Sequence, residues 1–176
     1  MSWDVATAAG GVAAVLFLGG LLTEIGPWYN ALRTPWWQPP GWAFPAVWTT
    51  IGMLTAWAAV LAWRTGDGAE RGWVVALFAV NAVLNVAWSG LFFKLRRPDW
   101  ALPEAAALWL SVLALVLAFR GWSPFAAALL LPYLAWVGTA FFLNRAVVVL
   151  NRPFGRPGAA PSPALPGATA MTETKR

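Results

Sequence analysis

Four stretches of this chain run for 19 residues or more without a charge: Val5 to Thr23, Ala43 to Trp63, Gly72 to Phe93 and Gly121 to Asn144. A helix needs about 20 mainly apolar residues to cross a bilayer, so each window is long enough. A fifth window is shorter, with 15 uncharged residues between Glu104 and Arg120. It still spans if it is taken from Ala101 to Gly121 with both charges at the interfaces. Pro103 then falls in the first turn, where a missing N–H is tolerated. Composition agrees: 60% of residues are hydrophobic and 11% charged, whereas soluble domains carry roughly 25% charge. The sequence therefore predicts an all-α integral membrane protein, a bundle of five transmembrane helices. The spans are expected at about residues 5–25, 43–63, 72–94, 101–121 and 124–150.

The net charge of +5 looks like a nucleic-acid signal until the basic residues are placed, because they sit in the loops. With alternating spans, one side holds Arg64, Arg71 and Arg120, and the other holds Arg33, Lys94, Arg96, Arg97, Arg152, Arg156, Lys175 and Arg176. The positive-inside rule then puts the amino terminus outside and the carboxyl terminus in the cytoplasm. Nucleic acid is not an expected partner; membrane lipid is. Met1 to Asp4 holds no basic residue, so the first helix reads as a retained span and not as a cleaved leader. The abundance of Arg, Ala, Gly and Pro suggests a bacterial source and a bacterial cell membrane.

The connections after the second helix are short, which makes sequential helices antiparallel neighbours. The first differs. Residues 24–41 hold Pro27, Pro35, Pro39 and Pro40 among four aromatics, so a structured, packed loop is expected between helices 1 and 2. Residues 1–151 form the transmembrane domain on this reading. From residue 152 to 176 the composition turns to Pro, Gly and Ala, and a disordered cytoplasmic tail is expected.

The chain has no Cys and no His. That removes disulfides and the commonest metal and haem ligands, and no metal site or cofactor is expected. There are no paired carboxylates, no nucleophile and base set, and no glycine-rich phosphate loop. The reading therefore leans away from an enzyme. The Gly10-Gly11 and Gly19-Gly20 pairs are read as points of close helix approach. What remains is aromatic and amide chemistry. Fourteen tryptophans are present, ten of them between Trp28 and Trp100. Asn81, Asn85, Trp88 and Phe92 share one face of the third helix; Phe44, Trp48, Ile51 and Thr55 share one of the second; Tyr133, Trp136, Ala140 and Asn144 share one of the fifth. Amides avoid lipid, so these faces turn inward and together suit a flat, largely apolar ligand.

The residues Trp28-Tyr29, Leu32, Pro35, Trp37, Pro39-Pro40, Phe44 and Trp48, at their spacing here, resemble the tryptophan-rich sensory protein family, also called translocator protein or peripheral-type benzodiazepine receptor. Asn81, Asn85 and Trp88-Ser89, with Pro132-Tyr133-Leu134, Trp136 and Leu143-Asn144, extend the likeness over about residues 5–151. The resemblance implies a five-helix bundle, a homodimer, and a porphyrin-binding cavity under the first loop. Its function would be that of a receptor or sensor for protoporphyrin IX-like tetrapyrroles, metal-free for want of a His or Cys ligand, linked to tetrapyrrole regulation or stress. Ligand-contacting positions carried over are Tyr29, Pro40, Trp48, Asn85, Trp88, Trp136 and Ala140, with Trp37 supporting the loop. No catalytic residue is assigned. Light-dependent porphyrin degradation, the enzymatic alternative, would fall on Trp48 and Trp136, and tetrapyrrole transport is the third reading. Arg33 is the cation suggested for a propionate. Cholesterol recognition is not carried over, because Arg145 stands where the animal motif has Tyr.

Overall fold

The computed structural model describes residues 2–155, and every regular element among them is helical. In chain order these are α1 (Trp3–Leu22), α2 (Pro27–Asn30), α3 (Ala43–Thr65), α4 (Gly68–Ser89), α5 (Pro98–Phe119), α6 (Pro124–Leu129) and α7 (Leu131–Asn151). Gly90–Lys94 carries α4 on as a π-helical turn. Five helices are long and apolar enough to cross a membrane: α1, α3, α4 with its π turn, α5, and α6 running into α7. Residues 156–176, where most of the tail expectation falls, lie outside the described residues.

Local chemistry sets the helix ends. Asp67 and Glu70 cap α4 reciprocally: Asp67 Oδ1 accepts the Glu70 N–H at 2.9 Å, and Glu70 Oε2 accepts the Asp67 N–H at 2.8 Å. Helix α5 begins at Pro98, a position whose absent N–H would have no helical partner anyway. Pro103 therefore sits inside the helix. Beside it, the buried Asn144 amide reaches across from α7, its nitrogen 3.2 Å from Pro98 O and its oxygen 3.0 Å from Leu102 N. Those two backbone groups are the pair that one rung of an α-helix would join, so α7 is stitched into the first turns of α5. The fifth span is interrupted at Leu130, two residues before Pro132, which has no N–H for the carbonyl of Ala128.

The helices close into a ring. Helix α1 packs on α3 and α4, α4 on α5, α5 on α7, and α6 and α7 return to α3. A side chain at Gly52 would put its Cβ 2.8 Å from Leu16 Cδ1 and 3.1 Å from Val12 Cγ1, so glycine lets α1 lie against α3. At Gly10, Gly11 and Gly20 an added Cβ meets nothing within 4 Å, and at Gly19 it meets Ser89 Oγ at 3.6 Å. The close approach of α1 is made by the glycine on its partner instead. Large apolar side chains such as Phe17, Leu21, Met53, Val83, Leu117 and Phe142 point outward and exposed, as a lipid-facing surface requires.

Candidate functional site

A cavity of about 460 Å³ opens between α1, α3 and α4, within the range of roughly 300–1,000 Å³ typical of small-molecule sites. Its inner end is formed by Trp48 and Ile51 from α3, Asn81 and Asn85 from α4, and Tyr133 from α7. Val12, Val15 and Leu16 of α1 form the outer wall, and Trp3, Asp4 and Trp63 the mouth, on the side of the amino terminus. At that mouth the Trp3 and Trp63 rings meet edge to face, 5.4 Å between centroids. Beside them Arg64 Nε donates to Asp4 Oδ2 at 2.6 Å and Arg64 Nη2 to Ser2 Oγ at 2.9 Å.

The floor is polar and connected. Asn85 Nδ2 donates to Tyr133 Oη at 2.9 Å, Tyr133 Oη to Asn81 Oδ1 at 3.1 Å, and Asn81 Nδ2 to Ser111 Oγ at 2.8 Å. Ser111 Oγ closes the chain on Leu108 O at 2.7 Å. Trp48 stands edge-on to Tyr133, 6.0 Å between rings. Thr55 also lines the cavity, its hydroxyl oxygen buried without a partner.

Of the eight ligand positions inferred from sequence, Trp48 and Asn85 line this cavity; Tyr29, Trp37, Pro40, Trp88, Trp136 and Ala140 do not. Trp136, one turn along α7 from Tyr133, meets Phe44 edge-on at 5.7 Å, and Ala140 is half-buried beyond it. Trp37 and Pro40 are exposed on the loop. Tyr29 and Trp88 belong to a second cluster around Leu32, Phe92 and Phe93. Trp88 packs 5.3 Å from Phe92 and 6.0 Å from Phe93, and its Nε1 is buried without a partner. Burial against Phe93 raises the Tyr29 phenol above the ordinary tyrosine value, partly opposed by a hydrogen bond with Gln38.

This second cluster explains why the cavity does not lie beneath the loop. The π turn inserts a residue, so the adjacent Phe92 and Phe93 are both buried, and they fill the space under Trp28, Tyr29 and Leu32. The loop is also tied down. Asn151 Oδ1 accepts the Arg33 N–H and Asn151 Nδ2 donates to the Arg33 carbonyl, both at 2.8 Å, and Lys94 pairs with Glu24. Arg33 is thus held at the opposite end from the mouth. Sequence reasoning missed the contribution of α1, whose wall is mostly small and apolar; the available signal was the face shared by Asp4, Thr7 and Gly11.

Residues 7–150 match the family model described as the TspO/MBR family. The chain belongs to the TspO/MBR family. Among the most similar TspO/MBR relatives, the tryptophan-rich protein TspO of Chlorobaculum tepidum is 39% identical over 145 residues, covering 78% of this chain and 89% of that protein. The tryptophan-rich sensory protein of Cereibacter sphaeroides is 35% identical, covering 75% and 82%. The translocator protein of Ovis aries is 37% identical, covering 66% and 70%. With five membrane-length helices, this TspO/MBR member is a multi-pass integral membrane protein.

Proposed function

We propose that this protein is a membrane receptor or sensor that holds a protoporphyrin IX-like tetrapyrrole, metal-free, in the cavity between α1, α3 and α4. The observation that carries the reading is the floor. An indole, a phenol and an amide, from Trp48, Tyr133 and Asn85, come together from three helices at one end of an otherwise apolar cleft. Stacking and burial supply affinity for a flat guest, and the amide fixes its orientation. The absence of any His or Cys from the sequence favours a metal-free macrocycle. The propionates lie at the mouth, near Arg64, and not at Arg33. The amino terminus faces outward and the carboxyl terminus the cytoplasm of a bacterial cell, and two copies form a homodimer.

Protoporphyrin IX titration, read by tryptophan quenching and by the porphyrin's own absorbance, tests the pocket. Trp48→Ala should weaken binding by about tenfold, the scale of one lost aromatic stack. Equal affinity in both proteins overturns the assignment. Repeating the titration under illumination tests the enzymatic alternative, which Trp48 on the cavity wall favours: a defined product whose formation needs Trp48 would make the protein a catalyst.

A further inference from the structure

At the cavity mouth a guanidinium already holds a carboxylate. Arg64, near the end of α3, reaches Asp4 of α1 with one edge of its fork, Nε to Oδ2 at 2.6 Å and Nη2 to Oδ1 at 3.4 Å, and Nη2 also donates to Ser2 Oγ at 2.9 Å. This approaches the two-pronged arrangement that arginine makes with any carboxylate. Among the described residues, every hydrogen bond of the Arg64 side chain goes to the start of α1, and none to its own helix or to α4.

Asp4 is the one charged residue that lines the cavity among the described residues. Its side chain is 10% exposed, that of Arg64 53%. Further in, Val12, Val15, Leu16, Val60 and Val74 give the walls no cation, and Thr7 ties its hydroxyl to the Trp3 carbonyl at 2.9 Å. A carboxylate drawn in among them would be desolvated without a counter-charge. Arg71, a neighbouring cation, is turned to Trp63: its Nε donates to the Trp63 carbonyl at 3.0 Å and its guanidinium lies 5.5 Å from the ring centre. A guest's carboxylate therefore stops at the mouth, beside a guanidinium whose fork is taken.

We propose, resting on the cavity reading above, that Asp4 is an internal stand-in for the guest's carboxylate: the two compete for Arg64, and this competition makes the mouth the part of the cavity that tells a carboxylate-bearing guest from its neutral counterpart. Arg64 is the binding residue and Asp4 its competitor. Displacement leaves Asp4 in the first turn of α1, where the partial positive charge of the helix end favours an anion. Trp63 is held from α4 by Arg71, so the start of α1 is the side that yields.

Protoporphyrin IX and its dimethyl ester isolate the rule, because they share the macrocycle and differ in the carboxylates. Titration of the full-length protein in uncharged detergent, read by tryptophan quenching, gives the ratio of acid to ester affinity. Comparing that ratio between variants cancels partitioning into the micelle. Arg64→Gln should lower it by roughly fivefold and Asp4→Asn should raise it by roughly threefold, the scale of a partly exposed ion pair. The ester makes no use of the pair, so its binding shows that each variant is folded; Arg64→Lys, which keeps the charge without the fork, should fall between wild type and Arg64→Gln. A pair that merely fastens α1 would shift acid and ester alike. A ratio unchanged in Arg64→Gln, or unchanged or lowered in Asp4→Asn, overturns the inference alone, provided that Trp48→Ala weakens acid and ester equally. If Trp48→Ala leaves the binding of both untouched, the cavity reading falls with it.

Discussion

Glu104 is the least comfortable side chain in the bundle. Both carboxylate oxygens are buried without a hydrogen-bond partner, and a buried polar group left unpaired costs about 1–3 kcal/mol. Replacing it with an apolar residue of similar size should remove that cost, so Glu104→Leu is expected to raise the thermal midpoint in detergent; a lower midpoint would show that the carboxyl has a partner. Tyr29 gives a second residue-scale prediction. The sequence contains two tyrosines, so in a Tyr133→Phe protein the ultraviolet titration reports Tyr29 alone. Its midpoint should lie above the ordinary tyrosine value of about 10, because burial disfavours the phenolate. The sign follows: the stability that the neutral phenol gives the loop is complete below that value and is lost as pH rises through the folded midpoint. A midpoint at or below 10 would mean the ring is solvated. At this scale the sequence was legible where spacing alone decides. The amides at Asn81 and Asn85 turn inward because lipid offers them no partner. The unpaired Glu104 was not legible, since a carboxylate one turn further out would have snorkelled to the interface.

Gly52 matters at the scale of elements, because the wall that α1 gives the cavity depends on how closely that helix lies on α3. A valine there collides with Leu16 and Val12 and should push α1 outward. Gly52→Val is expected to weaken protoporphyrin IX binding by about tenfold or more, given that packed interfaces resist overfilling at about 1–3 kcal/mol. Unchanged affinity would mean that α1 is not part of the pocket. The five membrane-length helices were legible from uncharged windows because lipid forces every backbone group to be satisfied within a helix. Their irregularities were not. The π turn at Gly90–Lys94 follows from packing two adjacent phenylalanines inward, which a 3.6-residue period does not announce. The break at Leu130 had a visible cue in Pro132, but an uninterrupted apolar run masked it. The same turn of packing separates the loop residues Trp37 and Pro40 from the cavity that Trp48 and Asn85 line.

For the whole molecule, the ring of α1, α3, α7, α5 and α4 has two ends of different character. At one, the loop, the π turn and the start of the carboxyl-terminal segment are tied by the Asn151 clip on Arg33 and by Phe154 packed on the Phe92–Phe93 cluster. At the other, the cavity opens beside Asp4 and Arg64. Orientation is testable without background because the chain has no cysteine. An impermeant thiol reagent added to intact cells should label Ser2→Cys and spare Arg152→Cys; the reverse pattern would invert the topology. A structure determined with protoporphyrin IX should place the macrocycle between α1, α3 and α4, in contact with Trp48 and Asn85, its propionates towards Arg64. A macrocycle found instead under residues 24–41, against Trp37 and Pro40, would contradict it.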